Sequence, residues 1–213
     1  MSAGPVSSFT NWSLTDFTAD IGWTFSNENR TFRHTGGQIS GIRSTRNDLT
    51  TGKHYWEITV TEQASASDGF YGISETGTGL TPGPSVVGPG GGPWAVWRLN
   101  GSYEGSSLGP GPSVAGTAVG INTGSLPEVL MFALDLDNGS FWMGLNGVWN
   151  TAGADPATNT NPCFDTFPNL GVTQWAAYFV SDNQNGAQES TANFGNEAFI
   201  YTVPAGFTAG IAA

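Results

Sequence analysis

The segment VLMFALDLDNGSFWMGLNGVWN, residues 129–150, contains the clearest structural signal in the sequence. Every second residue from 130 to 136 is apolar, namely Leu130, Phe132, Leu134 and Leu136. This period of two is typical of a strand with one face in a core. Asn-Gly pairs follow at 138–139 and 146–147. Because Asn-Gly tolerates positive φ at both centres of a tight hairpin turn, the segment predicts three antiparallel strands between Val129 and Trp149.

Short strand signals bounded by turn residues recur on both sides of this segment, and no long stretch keeps a helical apolar stripe free of Gly and Pro. In residues 54–61, for example, Trp56, Ile58 and Val60 share one face. The other predicted strands are 21–26, 30–34, 69–74, 94–99, 175–180, 190–194 and 199–202. The sequence therefore predicts an all-β protein in a single domain over residues 1–213, with its core at about 20–207.

Two predicted loops, residues 77–93 and 105–120, are rich in Gly and Pro, and each contains a near copy of one phrase. LTPGPSVVG spans 80–88 and LGPGPSVAG spans 108–116. Two interpretations stay open at this point. The copies are either a local duplication in a permissive loop or two neighbouring loops that shape one ligand surface, since long loops in compact domains are often functional.

Charge and composition exclude several classes of partner. The chain has 6 Lys and Arg against 17 Asp and Glu, a net charge of -11, so it repels phosphate backbones and anionic membranes. Cys163 is the only cysteine, which rules out an internal disulfide. The N-terminus lacks a signal-peptide pattern, and no apolar run approaches the roughly 18 residues of a membrane span. We therefore expect a soluble protein made in a cytoplasm.

Several motifs resemble those of the SPRY domain family. TGKHYWEITV (51–60) and GFYGIS (69–74) are similar to its early core strands, and ISGIRST (39–45) is similar to the element before them. The segment 129–150 resembles its LDLDNG hairpin, and 175–182, 191–195 and 199–207 resemble its closing strands. The resemblance implies a two-sheet antiparallel β-sandwich of concanavalin A-like jelly-roll type. It also implies a binding module, and the chain looks most like stand-alone SPRY-like proteins of bacteriophages.

The catalytic patterns that this fold can host are missing from the sequence. A glycosidase needs two carboxylates flanking the scissile bond, whereas Asp135 and Asp137 run straight into a turn. We interpret both as hairpin residues, with Asp137 bonding the turn backbone. His34, His54 and Cys163 form no triad or zinc pattern. We therefore expect no catalytic residues, no metal site and no cofactor.

The densest candidate for a binding site is WAVWRLNGSYEG, residues 94–105. Trp94 and Trp97 lie on opposite faces of the predicted strand, Arg98 shares the face of Trp94, and Tyr103 follows the turn. Aromatic residues and Arg dominate interface energetics, so whichever Trp faces outward could stack on a sugar or a side chain. The competing interpretation is one core Trp beside an ordinary hairpin surface.

These observations favour a non-catalytic structural or binding protein of a bacteriophage virion, such as a capsid decoration, fibre or tail component. Its partner would be a capsid or tail protein, and it could form a homo-oligomer. Its location would be the virion, with the cytoplasm as the alternative. The alternative is a carbohydrate- or receptor-recognition module. An intracellular peptide-binding adaptor and a glycan hydrolase are weaker alternatives.

Overall fold

Strands follow one another along almost the entire described chain. In the computed structural model the described residues are 10–18, 22–36, 39–64, 69–77, 79–80, 94–98, 102–106, 113–117, 125–165, 174–182 and 186–211. For residues 94–98, 102–106 and 113–117 the description covers the backbone and, of the side chains, that of Val96. A 3-10 turn at Pro156–Thr158 is the one helical element within the described ranges. The single domain over 1–213 stays a prediction.

The strands are β1 (Trp12–Phe17), β2 (Trp23–Ser26), β3 (Thr31–His34), β4 (Ile39–Ser44), β5 (Lys53–Gln63), β6 (Gly69–Glu75), β7 (Trp94–Arg98), β8 (Ser102–Ser106), β9 (Ser113–Thr117), β10 (Glu128–Asp135), β11 (Ser140–Leu145), β12 (Val148–Trp149), β13 (Trp175–Asp182), β14 (Gln188–Asn193) and β15 (Thr208–Ala209). They form two sheets. One has seven strands in the order β1-β4-β13-β6-β7-β8-β9. The other has the order β12-β11-β10-β5-β14-β3-β2, with β15 paired to β5 in parallel. The pairs along both orders are antiparallel, so the predicted two-sheet sandwich is confirmed.

The main core lies between the sheets and is built from the alternating residues that the sequence indicated. Leu130, Phe132 and Leu134 of β10 are fully buried in it. The Trp56 ring of β5 stacks on Phe132, with ring centroids 5.3 Å apart and planes 13° apart. From the other sheet, Phe179 of β13 closes the same cluster. Offset stacking of this kind adds about 0.5–1.5 kcal/mol to the energy of burial alone.

The predicted three-strand meander is present, but its two turns differ. Asn146 and Gly147 both have positive φ, at 48° and 87°, and connect β11 directly to β12 as a two-residue hairpin. The first turn was predicted wrongly as a tight Asn-Gly hairpin. It spans four residues, 136–139, and there only Gly139 has positive φ, at 76°. The longer turn forms because the Asp135 side chain accepts the backbone N–H groups of Asp137 and Asn138. Asp137 instead accepts the N–H of Gly52, so its expected role in the turn belongs to Asp135.

Several further segments differ from the sequence predictions. Residues 199–202 were wrongly predicted as a strand, because their N–H groups go to a side chain instead of a ladder. Strand β9 lies inside the segment 105–120 that we expected to be a loop. Strand β1 had no predicted counterpart, since its sequence WSLTDF lacks a clean alternation. Of the loop predicted at 77–93, only residues 77, 79 and 80 are within the described ranges. The turn predicted at Asn100-Gly101 is outside them.

A closing segment, residues 199–207, lies on the outer face of the eight-stranded sheet. Its Phe199, Tyr201, Val203 and Phe207 pack on a second apolar cluster that includes Tyr55 and Trp142. Glu57 of β5 is buried and fastens the segment: its carboxylate accepts the N–H of Ile200 at 2.9 Å, the N–H of Tyr201 at 2.8 Å and the Tyr55 hydroxyl at 2.7 Å. A buried carboxylate held by three donors is satisfied without a cation.

Candidate functional site

The four residues predicted to form a binding site lie on β7 and β8 of the seven-stranded sheet. Strand β7 pairs with β6, so that Trp94 is opposite Ser74, Trp97 opposite Tyr71 and Arg98 opposite Phe70. Strand β8 then places Tyr103 opposite Trp97. The side chains of these four residues lie outside the description, so their role stays a prediction; the backbone register gives their positions.

The register divides the four positions between the two faces of the sheet. Residues directly opposite each other in an antiparallel pair project to the same face. Tyr71 belongs to the main core, so the positions of Trp97 and Tyr103 are on the core side. Phe70 belongs to a separate outer cluster with Val96, Tyr178 and Val180, so the positions of Trp94 and Arg98 are on the outer face. The outer face of β6 and β7 is therefore the candidate surface.

On the outer face, the side chain of Arg43 runs from β4 to β6. Its Nε donates a 2.8 Å hydrogen bond to Ser74 Oγ, and Nη1 donates at 3.2 Å to the Asp16 carboxylate on β1. Strand β13 lies between β4 and β6, and the residue it places opposite Ser74 is Ala176, which has only a methyl side chain. The guanidinium is thereby held beside the residue that faces Trp94. Its side chain is 1% exposed, against 27% for Asp16.

The outer face is covered over β4 and β13 by residues 79–80. The Tyr178 hydroxyl donates to the Leu80 carbonyl at 3.5 Å, the long limit of a hydrogen bond. A Cβ at Gly41 would lie 2.9 Å from the same oxygen, so the backbone approach at this point needs glycine. Burial raises the pKa of Tyr178, which therefore stays a neutral donor. The Arg43 guanidinium and the Ser74 and Tyr178 hydroxyl groups are buried, so they hold the outer face rigid, and contact with a ligand would fall to the positions of Trp94 and Arg98.

The other cations with described side chains form ion pairs within the chain. Four further ion pairs join Arg30 to Glu197, Arg33 to Glu62, Arg46 to Asp48 and Lys53 to Asp135. With the pair of Arg43, they engage five of the six cations in the sequence. The sixth is Arg98, on the outer face of β7.

The acidic side chains that sequence analysis examined for catalysis have structural partners. Asp135 is buried and bonded to Lys53 Nζ at 2.8 Å and to the Asn138 amide at 2.8 Å. Asp137 accepts the Gly52 N–H, and Glu57 holds the closing segment. Among the described residues, no group of three or more His, Cys, Asp and Glu side chains is placed to hold a metal ion. No described helix is long and apolar enough to cross a membrane.

The histidines and the cysteine have local roles as well. His54 Nε2 is 2.9 Å from the carbonyl oxygen of Thr51 in its own turn. His34 is buried beside the Trp23 ring, with centroids 4.5 Å apart. Burial raises the pKa of the Cys163 thiol, and its described contact is with the Thr151 hydroxyl at 3.5 Å. A protonated thiol is a poor nucleophile.

Ionised Asp135 gives the fold an acid-sensitive contribution to stability. Burial opposes its ionisation, but hydrogen bonds from Lys53 and Asn138 outweigh burial and hold the pKa of this carboxyl below its usual value. The unfolded state therefore binds the proton more readily, so the contribution is complete above the unfolded pKa of about 3.9 and is lost as pH falls through the folded pKa. We expect Asp135→Asn to destabilise the protein near neutral pH and this effect to diminish as pH falls below about 3.9, as measured by urea unfolding. Asp137→Asn, on the same turn, is the control. The assignment would be contradicted if Asp135→Asn lowered the free energy of unfolding equally at neutral and acid pH, or if Asp137→Asn had the same effect as Asp135→Asn.

Sequence analysis missed Arg43, Asp16, Ser74 and Tyr178 as parts of the candidate surface. One signal was available for Arg43, since a cation inside the strand sequence ISGIRS breaks an otherwise uncharged run. The partners of Arg43 lie 27 and 31 residues away in sequence, so only the sheet order brings them together.

Comparisons with known proteins identify the fold. No family model matches the sequence, and a search of curated proteins found no match. The structure is similar to the SPRY domain of human HERC1, with a TM-score of 0.61 and 11% sequence identity over 85% of this chain and 96% of that one. It is also similar to the carbohydrate recognition domain of Emp46p, with TM-scores of 0.50 for the metal-free form and 0.51 for the potassium-bound form. Those two matches have 12% and 14% identity and cover 84% of this chain and 88% of each domain. At this identity the comparisons confirm the SPRY- and lectin-like sandwich, and they show the fold alone.

Proposed function

We propose that the chain is a non-catalytic binding module that contacts a protein partner through the outer face of β6 and β7. The observation that supports the proposal is the register of β7 on β6, which gives Trp94 and Arg98 positions on the outer face, beside a strand that Arg43 joins to β1. Arg43 is 1% exposed, so it braces β6 and does not meet the ligand. A face that is rigid before binding loses little entropy when a ligand arrives, and aromatic and Arg anchors are the residue types that concentrate binding energy.

The partner in this proposal is a capsid or tail protein of a bacteriophage, and the chain is a structural or accessory component of the virion. The acidic composition supports a partner other than nucleic acid. A surface polarity that comes mainly from Asn, Thr, Ser and Gly suits a protein on the outside of a particle. The motif resemblance to stand-alone phage SPRY-like proteins points the same way. A cytoplasmic location is the alternative.

A glycan is the second candidate ligand. The similarity in fold to the carbohydrate recognition domain of Emp46p favours it, and so does an aromatic position on an outer sheet face, because an aromatic ring can stack on a sugar. Protein and glycan partners would use the same surface, so one set of variants serves for both, and the probe that binds decides between them.

The test measures binding of the purified chain to purified capsid and tail assemblies and, separately, to a glycan array. We expect Trp94→Ala and Arg98→Ala each to weaken binding to the assemblies roughly 30-fold or more, the loss typical of an interface anchor. Trp149→Ala and Arg33→Ala change the same residue types on the eight-stranded sheet and should leave binding unchanged. Binding to glycans alone would select the second candidate. The proposal would be contradicted if none of the four substitutions changed binding. It would also be contradicted if the chain bound neither the assemblies nor the glycans.

A further inference from the structure

The net charge of the chain is distributed very unevenly along its sequence. Residues 76–127 contain one of the 6 cations and one of the 17 acids, Arg98 and Glu104. These 52 residues are therefore neutral overall, and the remaining 161 residues carry five cations and sixteen acids, which is the entire net charge of -11.

The neutral segment forms one edge of the seven-stranded sheet. Strands β7, β8 and β9 all lie within it, and they are the last three strands in the sheet order. Strand β9, with the sequence Ser-Val-Ala-Gly-Thr, is outermost, and no described strand pairs with its outer side. Proteins usually protect such an edge with Lys, Pro, inward-pointing charges or β-bulges, because its unpaired backbone groups are a template for another strand. The five residues of β9 include no Lys, Pro or acid, and its ladder with β8 has one irregularity, between Tyr103 and Glu104.

The other three sheet edges are less suited to pairing between copies of this chain. Strand β1 contains Asp16, and β12 has only two residues. Strand β2 is uncharged but has four residues and runs directly into a turn that contains Glu28. At the edges of β1 and β2, a second copy would bring acidic residues close to acidic residues, and β12 is too short to form a ladder.

We propose that β9 pairs with β9 of a second copy of this chain, antiparallel and around a two-fold axis, so that the two seven-stranded sheets become continuous. Neighbouring strands are about 4.8 Å apart, so the two β6 strands, each ending at Glu75, would lie roughly 34 Å apart across the joined edges. That separation exceeds the Debye length of about 8 Å at physiological ionic strength, so the two Glu75 carboxylates repel each other little. A two-fold contact also closes on itself and does not propagate into a filament. The edge is distinct from the outer face proposed to bind the virion partner.

Sedimentation velocity of the full chain over a range of concentrations tests this pairing. We expect a monomer–dimer equilibrium that persists at low salt, where contacts between acidic surfaces would dissociate. Thr117→Glu, and equally Thr117→Lys, brings the same added charge to the joined edge from both copies. Each variant should dimerise roughly tenfold or more weakly, and mixing the two should restore the dimer. Thr117 pairs with the uncharged Ser102 of β8 on the outer face, so the monomer fold should keep its circular dichroism and melting temperature.

A matched control adds one charge at another edge. Ser26→Glu places it on β2 of the eight-stranded sheet and should leave dimerisation unchanged. The proposal is overturned if the unmodified chain is monomeric at every concentration, if both Thr117 variants still dimerise as well as the unmodified chain, or if Ser26→Glu dissociates the dimer as strongly. If the Thr117 variants fail to fold, the concentration and salt series of the unmodified chain still decides the question.

Discussion

Asp16→Asn is expected to destabilise the protein by about 3 kcal/mol, because it leaves the guanidinium of Arg43 buried without the carboxylate that faces it. Removing one partner of a buried ion pair typically costs about 3–5 kcal/mol. The lower end applies here, since Asp16 is 27% exposed and Arg43 keeps its bond to Ser74. Urea unfolding measures the change. The double variant Asp16→Asn/Arg43→Met removes both charges and should be more stable than Asp16→Asn alone.

The exposed pair of Arg33 and Glu62 is the matched control for this prediction. Its geometry is better, with two hydrogen bonds of 2.7 and 3.2 Å, but the two side chains are 41% and 45% exposed. Solvent-exposed pairs contribute about 0–1 kcal/mol, so Glu62→Gln should change the free energy of unfolding little. Equal effects at Asp16 and Glu62 would show that Arg43 is not held by Asp16. The rigid outer face behind the proposed function would then lose its support.

Glu57→Gln is expected to destabilise the protein by about 2–4 kcal/mol and to release the closing segment. One amide oxygen replaces two carboxylate oxygens, and the new NH₂ group faces donors, so at least one of the three donors loses its acceptor. Leaving a buried donor unsatisfied costs about 1–3 kcal/mol, and bonds to a charged group are the stronger ones. The measurements are urea unfolding and the rate of proteolysis within residues 199–207.

Glu62→Gln serves again as the control, because Glu62 lies on the same strand as Glu57 and is exposed. Cleavage of the closing segment should accelerate in Glu57→Gln and stay at the unmodified rate in Glu62→Gln. If both variants resist proteolysis equally, the apolar contacts of Phe199, Tyr201 and Phe207 hold the segment without Glu57.

Local periodicity predicted the strands and their core faces well. Alternation in β5 and β10 identified Trp56 and Phe132, which stack in the core, and the SPRY-like sandwich inferred from the motifs is the fold observed. These features depend on neighbours in sequence, where a period of two fixes which side chains share a face.

The features that periodicity did not predict depend on contacts between distant residues or on side chains that compete with the backbone. Glu57 meets Tyr201 across 144 positions, and no local pattern marks either of them as a partner. The turn after β10 is lengthened by the Asp135 carboxylate, which overrides the preference of Asn-Gly for a two-residue hairpin. The positions of Trp94 and Trp97 on opposite faces followed from alternation, but which of them is on the outer face follows only from the pairing of β7 with β6.

The proposal that this binding module is part of a virion is tested most directly by quantitative mass spectrometry of virus particles purified from its biological source. The account predicts a constant number of copies of this chain per particle, related to the symmetry of the capsid or tail. Complete absence of the chain from purified particles would contradict it.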